Sequence, residues 1–87
     1  MIHDLKTLVK PFQALWDGTK SHEVRKFDRD FQVGHTLLLR EYDEFAESYS
    51  GREIVAEITY ITWPGMHGLP GMIGVMSISI ISHSLTS

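Results

Sequence analysis

The ten residues EIVAEITYIT, positions 53–62, constrain the fold more than any other stretch. Ile54, Ala56, Ile58 and Tyr60 fall on one side of an extended chain, and Glu53, Glu57 and Thr59 fall on the other. A period of two with β-branched residues describes a strand with one buried and one wet face. The same period returns at Ile73–Ile81, where Met76, Ile78 and Ile80 alternate with Ser77 and Ser79. At Thr36–Tyr42, Leu37 and Leu39 oppose Leu38 and Tyr42; at His22–Phe27, Val24 opposes Glu23, Arg25 and Phe27. The chain is therefore read as mainly β.

What lies between the strands completes the reading. Ile2–Lys6 is a short extended segment. Pro11 is tolerated at a helix start, so a short helix is expected over 10–17, with Phe12, Leu15 and Trp16 on one face and Gly18 as its stop. Asp28-Arg29-Asp30 reads as a polar turn and Asp43–Gly51 as an acidic loop. Trp63–Gly71, WPGMHGLPG, reads as a second loop, and Ser82–Ser87 as a frayed tail. One short N-terminal helix with four strands and an extended segment gives an α+β, mainly β fold. Residues 1–87 form a single domain, a small closed or nearly closed barrel whose closure removes exposed sheet edges.

Composition excludes several function classes. There is no cysteine, hence no disulfide, thiol nucleophile or zinc-cysteine site. His3, His22, His35, His67 and His83 show no metal-ligand spacing, so no metal site and no cofactor is expected. Lys6, Lys10 and Pro11 interrupt any signal-peptide core, and no run approaches the roughly 18 apolar residues of a membrane helix. A soluble, cytoplasmic protein with no membrane partner is expected. The net charge of −3 argues against broad coating of duplex DNA. The charges are sorted, however: five of the eight Lys and Arg residues lie between Lys20 and Arg40, whereas positions 41–57 carry six acids against Arg52 alone.

Within the basic sector, Glu23 and Arg25 project from the same strand face, roughly 6.5 Å apart along the backbone. Lys20, in the preceding turn, can swing toward them. Two cations beside one carboxylate can take phosphate or carbonyl oxygens while the carboxylate orients the arginine. An ordinary ion-pair cluster on a solvated strand face would have the same spacing. Arg29 is a candidate for the lip of a cleft. Trp63 and Met66 are candidates for stacking on a base or for a hydrophobic lid.

The stretch Gly18-Thr-Lys20-Ser-His-Glu23-Val-Arg25 has the form G-x-K-x-x-E-x-R, which resembles the signature of the ASCH domains, a branch of the PUA-like superfamily. The wider sequence is similar to a compact ASCH-like family of uncharacterised proteins common in phages, prophages and bacteria. The matching pieces include Trp16-Asp17-Gly18, Asp28-Arg29-Asp30-Phe31, Val33-Gly34, Leu38-Leu39-Arg40-Glu41 and Tyr49-x-Gly51-Arg52-Glu53, within roughly residues 2–78. The resemblance implies a PUA-like barrel with a cleft lined by Lys20, Glu23 and Arg25, neighboured by Lys6 and Arg29. It also implies an RNA- or nucleotide-related role. Two positions depart from the pattern. His35 follows Val33-Gly34 where that family usually has an acid. Glu23 stands where some ASCH amidohydrolases have a threonine nucleophile, and a glutamate cannot serve as that hydroxyl.

Three functions are weighed. The first is a module that binds RNA, single-stranded or structured, or a nucleotide, through Lys20, Glu23 and Arg25, with the Trp63–Gly71 loop as a gate. The second is a small hydrolase of a modified nucleoside amide, with Lys20 polarising a carbonyl and Glu23 activating water. The third is a phage or prophage factor whose acidic sector, Glu41–Glu57, contacts a host protein.

Overall fold

The computed structural model describes residues 1–85. It comprises β1 (Ile2–Leu8), α1 (Val9–Asp17), β2 (His22–Lys26), β3 (Thr36–Asp43), β4 (Ser48–Thr62) and β5 (Ile73–Leu85). The strands form one five-stranded sheet in the order β1-β3-β4-β5-β2. β1 runs parallel to β3, and every other pair is antiparallel. The sheet curls into a half-barrel. It does not close: β1 and β2 are both edges, with no backbone ladder between them. Of the closed or nearly closed barrel expected, the structure shows the curl but not full closure: β2, only five residues long, pairs through one edge with β5 and leaves its other edge unpaired by β1.

α1 fills the concave side of the curl. Phe12 and Leu15 on its inner face are buried with Leu5, Leu37, Leu39 and Ile58, and Trp16 packs against that core. Gly18 ends the helix in the left-handed region (φ 81°), where a glycine carries no Cβ penalty, and its N–H donates to the Leu15 carbonyl at 3.2 Å.

Three departures from regular pairing explain where the alternation misleads. Ile58 pairs with Ile78 but Tyr60 with Ser77, so Thr59 is an extra residue in β4. The bulge reverses the parity: Tyr60, expected inside, is 64% exposed, and Ile61 is buried instead. Val55 pairs with Ser82 but Ala56 with Ile80, which leaves Ile81 as the extra residue in β5. Beyond it the strand continues to Leu85, paired with Arg52, so Ser82–Leu85 are strand rather than frayed tail; residues 86 and 87 lie outside the described ones. Finally, Arg40 pairs with Glu53 and Tyr42 with Tyr49, so two steps of β3 face four of β4. The expected loop 43–51 shrinks accordingly to a turn between Asp43 and Ser48.

Candidate functional site

β2 turns its charged face inward. Glu23 is only 3% exposed, whereas Val24 is 49% exposed, the reverse of what residue type alone would suggest. The pleat forces this choice, because one face of a strand must look into the curl. The cost of burying the carboxylate is offset by two cations. Arg25 Nε donates to Glu23 Oε2 at 2.6 Å, and Lys20 Nζ lies 3.6 Å from Glu23 Oε1. The turn that delivers Lys20 is itself pinned: the Thr19 hydroxyl and the Lys20 N–H both donate to the Ala14 carbonyl, each at 3.1 Å.

Arg25 also spans the open seam. Its Nη2 donates to the Lys6 carbonyl at 2.9 Å and to the Thr7 hydroxyl at 3.1 Å, both on β1. Arg29 does the same further along, donating to the Asp4 carbonyl at 3.3 Å. Arginine side chains thereby satisfy edge carbonyls that a neighbouring strand would otherwise take.

At this seam lies a hollow of about 190 Å³, bordered by Lys6, Thr7, Lys20, Glu23 and Arg25. Leu8 and Pro11, from the junction of β1 and α1, close its far side. Lys6 Nζ sits 4.2 Å from the centroid of the Tyr42 ring and makes no carboxylate ion pair among the described residues. No side chain caps the N-terminus of α1, whose helix dipole adds positive potential on that side. A second, apolar hollow of about 470 Å³ adjoins the first and shares Leu8 and Pro11 with it. Its other walls include Val9, Tyr42 and Phe45.

Of the residues singled out from the sequence, Lys6, Lys20, Glu23 and Arg25 therefore meet at one hollow. Arg29 does not line it; its guanidinium lies along the same seam, 3.9 Å from Asp28. Trp63 and Met66 line neither hollow, and Trp63 packs edge-on to Phe27 at 5.7 Å. The gate imagined for the Trp63–Gly71 loop is thus not positioned over this hollow. Thr7 was missed because β1 was read only as far as Lys6. A periodicity count through Leu8, which places His3, Leu5 and Thr7 on the buried side, would have found it.

Two other polar clusters are structural neighbours. Glu41, 4% exposed, receives Arg52 Nε at 2.9 Å, Arg52 Nη2 at 2.7 Å and the Ser50 hydroxyl at 2.6 Å. The Arg52 hydrogen bonds hold the Glu41 carboxyl below its usual range against the opposing effect of burial, and the same contact raises Arg52. Arg52 also lies 4.8 Å from the Trp16 ring and donates to Gln13 Oε1 at 2.8 Å. In the second cluster, buried His3 and half-buried His35 share a hydrogen bond of 3.0 Å. Burial, followed by the charge of His35, lowers His3 from its ordinary value. Among the described residues no third ligand joins these histidines in a metal-binding group. No helix among them is long and apolar enough to cross a membrane.

Residues 2–78 match a family model described as a domain of unknown function, DUF3850. The chain belongs to this family. A curated relative, the "Uncharacterized 12.9 kDa protein in GpA 3'region" of Escherichia phage P2, is 38% identical over 61 residues. That match covers 70% of this chain and 54% of the relative, so the chain spans about half the length of the phage protein it matches. The DUF3850 family is in this respect phage-associated. The matched range takes in β1 through β4 and the first six residues of β5, hence every residue bordering the charged hollow.

Proposed function

We propose that this DUF3850 domain is an RNA- or nucleotide-binding module that holds phosphate or carbonyl oxygens in the hollow bordered by Lys6, Lys20, Glu23 and Arg25. One observation carries the reading: Glu23 is buried and held between two cations at the wall of an open hollow. An ion pair on a solvated strand face would leave its carboxylate exposed and enclose no space. Three cations against one acid make the hollow net positive, and lysine ammonium groups retain donors for an incoming oxygen. The G-x-K-x-x-E-x-R spacing supports the same reading through its likeness to ASCH and PUA-like domains.

Neither alternative has a comparable observation behind it. Both oxygens of Glu23 already face a cation, so activating water would require one to leave. In the acidic sector, Glu41 pairs with Arg52 and Glu53 with Arg40, which leaves less free negative charge than the sequence suggests.

The cleanest variant is Lys6→Ala, with Lys20→Ala beside it, since Arg25 also ties β2 to β1 and its loss would loosen the fold. Each lysine variant is expected to weaken binding of a short single-stranded RNA roughly tenfold, the scale of one charged hydrogen bond; the unfolding midpoint should stay near wild type in Lys6→Ala and fall modestly in Lys20→Ala, where Glu23 keeps Arg25 as its one cation. Unchanged affinity in both would refute the assignment.

A further inference from the structure

The charged hollow does not stand alone. Leu8 and Pro11 form a low divide, and beyond it the apolar hollow presents Leu8, Val9, Tyr42 and Phe45. Phe45 is 97% exposed, and the turn that carries it is held: Asp43 Oδ1 accepts from the N–H groups of Phe45 and Ala46 at 2.9 and 3.1 Å. An aromatic ring left almost wholly in water at the rim of an apolar hollow is area that a ligand can cover.

The two ends of the double hollow differ in net charge. Lys6, Lys20 and Arg25 surround Glu23 at one end, and Lys10 stands with the carboxylates of Asp43 and Glu44 at the other. A wholly anionic ligand would gain no net positive partner at the far end, and a wholly apolar one would leave the near end unmatched. A ligand that fits both carries an anionic group joined to a flat, largely apolar ring with N–H donors at its edge. An unstacked nucleotide of a single-stranded RNA has that composition, with every base offering a π-face and no paired strand to block it.

We propose that the apolar hollow seats a base of single-stranded RNA while the charged hollow holds an adjoining phosphate. This rests on the binding role assigned above and adds to it a requirement for an unpaired base. A base in a duplex is stacked and cannot enter.

The test compares three RNA probes of about ten nucleotides, a length that spans sites of this size. They are a single strand, the same strand with abasic sugars throughout, and the single strand annealed to its complement. Binding to the wild-type domain and to Phe45→Ala is measured by fluorescence anisotropy. The wild type is expected to bind the single strand roughly 5- to 100-fold more tightly than the abasic strand, as stacking of one or two bases requires. The duplex is expected to bind as weakly as the abasic probe. Phe45→Ala, at a position with almost no folded-state contacts to lose, should bring the single strand down toward the abasic level and leave abasic binding unchanged. Equal affinity for base-bearing and abasic strands, equal affinity for the duplex, or an unaltered Phe45→Ala would each overturn the base-seating proposal while the phosphate role stands. Failure of all three probes to bind would remove both.

Discussion

Glu23 and Glu41 are two buried carboxylates whose surroundings separate a candidate site from a structural device. Glu41 is gripped by both ends of one guanidinium and by a serine hydroxyl, and it borders neither hollow. Glu23 has a different cation on each oxygen and an open space beside it. The first arrangement is saturated, whereas the second leaves donors on Lys20 unspent. Removing Arg52 would strand the Glu41 charge in a buried position and uncover Phe12 and Trp16. Arg52→Ala is therefore expected to cost roughly 3 kcal/mol in urea unfolding. The double change Glu41→Leu with Arg52→Met should recover much of that loss, because it removes both charges together. A loss below about 0.5 kcal/mol for Arg52→Ala would reclassify the pair as an ordinary surface contact.

At the level of the elements, the legible parts were those governed by local rules. Pro11 and Gly18 bracket α1 closely, since one restricts the chain at its own position and the other relieves strain at the stop. The faces of β3 from Thr36 to Tyr42 and of β4 from Glu53 to Ile58 follow alternation. Alternation fails where a residue is inserted on one strand only, at Thr59, at Ile81 and opposite Arg40–Tyr42. No local pattern announces such a mismatch, because it is a property of two strands compared. The same limit applies to the site: the spacing of Lys20, Glu23 and Arg25 could be read, but which face looked inward depended on how the sheet curls. Gly74 illustrates a contact that only packing reveals. It pairs with Arg25, and a Cβ placed there would lie 2.5 Å from the Phe27 ring. That ring is wedged against Phe31 and Trp63 and has little room to retreat. Gly74→Ala should accordingly destabilise the domain by about 1–3 kcal/mol in thermal unfolding, even though alanine suits a strand better than glycine does. An unaltered melting temperature would mean that the aromatic trio shifts freely.

For the molecule as a whole, acid should act in two stages. His3 titrates below its ordinary value of 6.5 and Glu41 below its ordinary value of 4.5. In both cases the unfolded chain binds the proton more readily than the folded one, so stability is present above the ordinary value and is lost as pH falls. His3 faces His35, Arg29 and the N-terminal ammonium, with Asp30 alone opposing them, so protonating it adds a charge among cations. Unfolding midpoints in urea are expected to be flat above pH 7, to fall first through the histidine window and then again below about pH 4.5. In His3→Gln the first decline should disappear and the second remain; a first decline that persists would assign it to another group.

The seam between β1 and β2 has a consequence for how this domain can change over time. Arg25 and Arg29 act there as clasps in place of a fifth ladder, and one clasp also forms a wall of the proposed binding hollow. A descendant that alters recognition through Arg25 would unfasten its own architecture, so innovation is channelled to Lys6 and to the rim at Phe45, where the scaffold has least at stake.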